Sequence, residues 1–287
     1  MRLLSFDVED WFHILDNTST RTEHDWVRYP SRLDASIYDL LDVLDHVGCR
    51  ATFFCLGWIA RRNPNTLRRI AARGHEIACH SDMHQLVYDL KKDNFRADLR
   101  KAIGSLEDAV GAKVLAYRAP GFSVRDAEAS WFFDALIEEG MQVDCSVFVG
   151  RHGHGGLPQF PSVGPCKVNC AGGTIKEFPM TGAKLLGQSI VYSGGGYFRL
   201  MPYWLVRFWA NRADYLMTYF HPRDFDPHQP VVPGLSPIRR FKSYYGLASS
   251  LEKLKRLLND FEFTNIGSAV AATNWDCVPQ ITLGSKL

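Results

Sequence analysis

The feature that most constrains the fold of this chain is a rhythm. Through the first 150 residues, short and almost wholly apolar runs alternate with stretches whose apolar residues recur at helical spacing. Residues 3–6, 51–56, 76–79, 114–117 and 141–143 read as strands. Between them, Ile37, Leu40, Leu41, Leu44 and Val47 line one face of a helix that Asp34 or Ser36 caps and Gly48 stops. Asn63-Pro64 opens a second helix through Leu67 and Ile70, with proline in its first turn. Phe95, Leu99, Ile103, Leu106 and Val110 make a third stripe ended by Gly111, and residues 131–139 form a fourth helix ended by Gly140.

Strands apolar on both sides, separated by helices, predict a parallel sheet covered on both faces. Right-handed crossovers then build an open doubly wound sheet or a barrel, and either puts function at the carboxyl ends of the strands. A stretch of about 150–200 is rich in Gly and Pro and lacks period, and is expected as an irregular insertion over the active face. Residues 217–220 resume a strand, residues 250–260 a helix, and residues 261–266 a last strand. No linker or repeat breaks the chain, so residues 1–287 are expected to form a single domain.

Composition sets outer limits. Lys plus Arg number 33 against 31 Asp plus Glu, a net charge of +2, which offers no whole-chain reason to expect nucleic acid or an anionic membrane surface as partner. No apolar run is long enough to span a bilayer. The 7 cysteines are odd in number and form no Cys-x-x-Cys, the nearest pair being Cys166 and Cys170. With an acid at position 7, before any apolar stretch of signal length, they read as reduced thiols of a cytoplasmic protein.

The polar residues of interest follow the strands. Asp7, Glu9 and Asp10 follow the first, His80 and His84 the third, Arg118 the fourth, Asp144 the fifth, and His221 the strand at 217–220. Five strand ends thus deliver acids, imidazoles and an arginine to one face. On a helical turn, His80 and His84 share a side and reach one metal ion, which then needs a carboxylate as third ligand. In extended chain Asp7 and Glu9 point the same way, so one can bind the metal while the other acts as base beside the bound water. Asp10 competes if the chain turns sharply after Val8. Gly194-Gly195-Gly196 lacks the strand-then-helix context and the lysine of a phosphate loop.

These residues stand in a familiar order. The segments Phe6-Asp7-Val8-Glu9-Asp10, Ala51-Thr52-Phe53-Phe54 with Gly57, Gly74-His75-Glu76-Ile77-Ala78-Cys79-His80-Ser81-Asp82-Met83-His84, Tyr117-Arg118-Ala119-Pro120-Gly121, Asp144-Cys145-Ser146 and Tyr219-Phe220-His221-Pro222 resemble the NodB-type polysaccharide deacetylases of carbohydrate esterase family 4. The resemblance spans about the first 220 residues. Phe6 to Trp11 and Ser193 to Arg199 are similar to the branch near the allantoinase-like and Helicobacter-type peptidoglycan deacetylases, and to deacetylases of exosortase-linked exopolysaccharide biosynthesis. One departure is the pattern Asp-Val-Glu-Asp where the family commonly has two adjacent aspartates; it places Glu9 in the ligand position.

The resemblance implies an α/β fold, a distorted (β/α)7–8 barrel, and a hydrolase that removes an N-acetyl group from an amino sugar in a polysaccharide or its precursor. It implies a divalent ion, Zn²⁺ first among candidates, on Glu9, His80 and His84. Asp7 would be the base, the N–H of Gly121 would face the oxyanion, and His221 would protonate the departing amine. Arg118 would pair with Asp7, and Asp144 with His221. Two other readings stand beside this one: an allantoinase-like hydrolase of a small cyclic amide or ureide, and a non-catalytic glycan-binding relative.

Overall fold

In a computed structural model, residues 1–15, 17–180, 182–185 and 188–283 are described. The predicted rhythm is present. Strand β1 (Ser5–Val8), which continues a short strand at Arg2–Leu3, is followed by α1 (Leu33–His46), β2 (Thr52–Cys55), α2 (Gly57–Arg62) and α3 (Pro64–Ala72). Then come β3 (Glu76–Cys79), α4 (Lys92–Val110), β4 (Ala116–Tyr117), α5 (Asp126–Glu138) and β5 (Val143–Asp144). Gly111 ends α4 with φ 69°, the left-handed cap its position required.

Strands β1 to β5 pair in parallel, each with the next. Beyond them the sheet is mixed. Within the irregular stretch lie β6 (Cys166–Cys170) and β7 (Gly173–Glu177), an antiparallel pair whose second strand runs parallel to β5. At the other end, β8 (Leu216–Met217) pairs in parallel with Arg2–Leu3, and single bridges join Phe6 to Phe220 and Leu3 to Thr264. The last strand, β9 (Gln280–Thr282), adds to β6. The strand expected over 261–266 is only the bridge at Thr264; Asn265 then caps a helix over Ile266–Ala272 through its side chain, which accepts from Ser268 N.

Two apolar layers show that the sheet curves. Leu3, Phe54, Ala78, Ala116, Val143, Phe178 and Met217, one from each successive strand or its immediate extension, form one buried cluster. The opposite faces, with Phe6, Phe53, Cys79 and Tyr117, pack against the helices in a larger one. An inner cluster shared by strands from both ends of the order is the signature of a barrel. The fold is an α/β one, a mixed sheet flanked by helices and bent into a distorted (β/α) barrel.

Candidate active site

Register explains why distant residues meet. Val8, Cys55, Cys79, Tyr117 and Asp144 stand side by side across β1 to β5. The residues just beyond this row, Glu9, His80 and Arg118, therefore emerge at one level. The ladder continues one step past the strands: His80 N donates to Cys55 O at 2.9 Å and Arg118 N to Cys79 O at 2.9 Å.

Glu9 is the centre of the cluster. Its Oε1 lies 2.8 Å from His84 Nε2, 3.3 Å from His80 Nε2 and 3.7 Å from His221 Nε2. Burial would push its carboxyl up, but the imidazoles of His84, His221 and His80 around it outweigh this and hold it well below the usual range. Asp10, the competing acid, turns away. Its Oδ1 accepts from the backbone N–H of Trp11 and of Arg32, so it braces the loop after β1.

His80 and His84 do not sit on a helical turn, as their spacing suggested. Ser81 and His84 have φ of 67° and 54°, left-handed values rare outside glycine. The loop is held by Asp98, whose carboxylate accepts from Asp82 N and Met83 N, and by Ser81 Oγ, which accepts from His84 N. Asp82 points back into the protein to Arg61 and Lys101. The two imidazoles still converge, with ring centroids 5.4 Å apart.

The donor set fits a cation. The Glu9, His80 and His84 ligand atoms lie within 4.8 Å of one another, and a second group joins Asp7, Glu9 and His221. His80 Nδ1 is 2.8 Å from the carbonyl of Arg118. In the neutral ring this fixes the proton on Nδ1 and turns the Nε2 lone pair toward Glu9, the arrangement common in metal-ligating histidines. His84 Nε2 is buried, and although it touches Glu9 it has no hydrogen bond of good geometry. Two nitrogens and a carboxylate oxygen crowded this closely call for positive charge between them.

Asp7 lies beside this centre with its two oxygens in different roles. Oδ1 accepts from Arg118 Nη1 at 2.6 Å, while Oδ2 is buried, has no hydrogen-bond partner and lies 3.7 Å from His80 Nε2. Arg118 is wholly buried. It also donates to Ser5 Oγ at 2.9 Å and stacks over Phe54 at 4.1 Å. The expected Arg118–Asp7 pair is present.

The expected Asp144–His221 pair is not. His221 Nδ1 lies 3.0 Å from Asp224 Oδ2, and the same oxygen accepts from His221 N. The cause is local: Pro222 starts a short 3₁₀ turn, His221 occupies its cap, and Asp224 stands three residues on, where a capping side chain reaches back. Asp144 instead accepts from Ser146 N and Ser146 Oγ and meets Glu177. Burial would lower the His221 imidazole, but Glu9, Asp224 and Asp7 outweigh it and raise it to about 9.

Sequence reasoning missed Asp224 and, behind it, Arg199, whose Nε lies 3.2 Å from Asp224 Oδ1. The His-Pro-x-Asp spacing is the signal that could have found the first. Gly195 packs so closely that an added Cβ would lie 2.7 Å from Asp224 Oδ2.

Glu9, His84 and His221 line a cavity of about 870 Å³, bounded also by Gly121, His154, Tyr197 and Phe241 among others. Gly121, the expected oxyanion donor, has φ 59°, and a Cβ there would meet Leu15 at 2.9 Å. The loop before it is held by Ser146 Oγ, which accepts from Ala119 N at 2.8 Å. Of the aromatic residues nearby in sequence, Tyr197 borders the cavity, Phe198 is core, and Tyr203 is bonded to Asp260.

Comparison with known proteins agrees. The model of the polysaccharide deacetylase family matches residues 25–130, and a domain of unknown function, DUF3473, matches residues 145–271. A peptidoglycan-N-acetylglucosamine deacetylase of Bacillus cereus is 30% identical over 92 residues, 32% of this chain and 34% of that protein. The chain thus matches about a third of that relative's length. A crystal structure of a "putative polysaccharide deacetylase" from Mycobacterium smegmatis is similar over 100% of this chain and 94% of that one, with TM-score 0.66 and 18% identity. A carbohydrate esterase 4 family pseudoenzyme from Bacillus anthracis has TM-score 0.51 and 13% identity, over 98% of this chain and 69% of that one. Residues 25–130 are thus similar to the polysaccharide deacetylase family, and the fold as a whole is similar to solved structures of that kind.

Proposed function

We propose that the protein is a divalent-metal-dependent amide hydrolase that removes the acetyl group from an N-acetylated amino sugar of a polysaccharide or of its biosynthetic precursor. The observation that carries this reading is the free, buried Oδ2 of Asp7, aimed beside the Glu9, His80 and His84 cluster while Arg118 holds Oδ1. A carboxylate held by one oxygen with the other unused is what a general base needs.

Glu9, His80 and His84 would hold the ion, Zn²⁺ in this reading, which when bound supplies Lewis acidity toward water and the acetyl carbonyl. Asp7 Oδ2 takes the proton of the attacking water. The N–H of Gly121 faces the oxygen that becomes negative. His221 Nε2 hands a proton to the sugar nitrogen as the C–N bond breaks, leaving acetate and a free amine. Asp224 keeps the other nitrogen of His221 occupied and its ring oriented. Asp144 acts at one remove, through Ser146 on the backbone that precedes Gly121.

The chain works as one domain in this reading. His80, His84 and Arg118 come from one matched region, His221 and Asp224 from the other, and Asp7 and Glu9 from neither. Among the described residues no helix is long and apolar enough to cross a membrane. The seven free cysteines, five of them buried, support a reducing compartment, the cytoplasm.

The test is release of acetate from N-acetylglucosamine oligomers, with hydrolysis of a cyclic ureide as the parallel assay. Acetate release that disappears in Asp7→Asn supports the reading. Ureide hydrolysis alone, or neither activity in metal-loaded protein, overturns it.

A further inference from the structure

The helix α6 (Pro237–Tyr244) lies at the rim of the cavity, and none of its residues is buried. Polar ties hold it in place. Arg199 donates to the carbonyls of Lys242, Ser243 and Tyr245, Arg239 donates to the carbonyl of Leu15, and the Tyr244 hydroxyl accepts from Val232 N. Its apolar side chains are thus only partly covered by the rest of the fold. Ile238, Phe241 and Tyr245 recur at i, i+3 and i+7, on one face, and are 68%, 52% and 49% exposed. The rings of Phe241 and Tyr245 lie 4.9 Å apart. Across the rim, Tyr197 and Leu200 extend the patch, being 49% and 47% exposed.

The charge beside this face has one sign. Arg239, Arg240 and Lys242 lie within the helix, and no Asp or Glu occurs between Asp226 and Glu252. The near-neutral total of +2 conceals this local run. An exposed apolar stripe with aromatic residues, flanked by cations and free of acids, is complementary to one kind of surface: anionic headgroups above an apolar interior.

We propose that α6 docks the protein on an anionic lipid bilayer, with the mouth of the cavity held at the membrane surface. The substrate class that fits this placement is an amino sugar carried on a lipid. Docking itself is read without substrate, so it stands or falls apart from the deacetylase reading.

The experiment is co-sedimentation of the full chain with vesicles of equal parts phosphatidylglycerol and phosphatidylcholine, against pure phosphatidylcholine. Binding is expected only to the anionic vesicles, and it should weaken at about 0.5 M NaCl. Ile238 is mostly exposed and outside the cavity wall. Ile238→Glu should fold normally by circular dichroism and bind at least about ten-fold more weakly, while Ile238→Trp should bind more tightly. No binding, equal binding to neutral vesicles, or binding unchanged by Ile238→Glu overturns the proposal. So does a stable dimer in solution that Ile238→Glu dissociates, since a second copy would then cover this face.

Discussion

Asp224 Oδ2 lies 3.0 Å from Nδ1 of His221 and 2.7 Å from where a Cβ on Gly195 would stand. The orientation of one imidazole thus depends on a carboxylate with no room to move toward the glycine. In Asp224→Asn, His221 loses its charged partner while the turn is kept. The turnover of an N-acetylated sugar oligomer should fall about 100-fold or more, with KM within a few-fold of the parent. Steady-state kinetics check this; an unchanged turnover number would remove Asp224 from the account.

The neighbouring glycines give a sharper comparison. A Cβ on Gly195 meets the Asp224 carboxylate, whereas one on Gly196 meets Lys242 O at 3.4 Å and Arg199 Nη2 at 3.8 Å, both ordinary contacts. Gly195→Ala should lower turnover roughly 10- to 100-fold by displacing the partner of His221. Gly196→Ala should stay near the parent. Equal effects would mean that the glycines serve only the backbone.

The Arg118–Asp7 pair invites a stability measurement. Both side chains are almost completely buried. Arg118→Met leaves a carboxylate without its partner and should destabilise by about 3–5 kcal/mol in urea unfolding. Adding Asp7→Asn should recover part of that loss, because the uncompensated charge is then gone. No recovery in the double variant would show that packing over Phe54, rather than charge, makes Arg118 necessary.

Much of this site was legible because strand ends are legible. Apolar runs located β1, β3 and β4, and the acids, histidines and arginine that follow them fell on one rim. What escaped depends on local turns. The left-handed residues at Ser81 and His84 rest on Asp98, a helix residue 14 positions beyond His84 that no spacing rule connects to it. The partner of His221 is set by a proline-initiated turn of four residues, not by the sheet. The β6–β7 pair and the single bridge at Thr264 lie where the pattern is too short to have a period, so tertiary pairing decides them.

Acid should destabilise the protein through His75. Its imidazole is buried, accepts from Ala51 N at 3.2 Å, and is lowered to about 4, by burial first and by Arg50 next. Between pH 6.5 and 4 the unfolded chain holds the extra proton. Stability is therefore full above 6.5 and lost as pH falls toward 4, by on the order of 3 kcal/mol. Asp98, raised to about 6 mainly by burial, works in the opposite direction over part of this window. The difference between parent and His75→Gln cancels that contribution. Urea unfolding at several pH values should show a shallower acid decline in the variant; identical slopes would contradict the assignment.

The proposed chemistry requires Glu9, His80 and His84 to close on one ion. The most direct measurement is anomalous scattering at the zinc edge from crystals grown with Zn²⁺. One peak per chain is expected, bounded by a Glu9 carboxylate oxygen and by Nε2 of His80 and of His84. A site without a peak, with those three side chains turned apart, would contradict it.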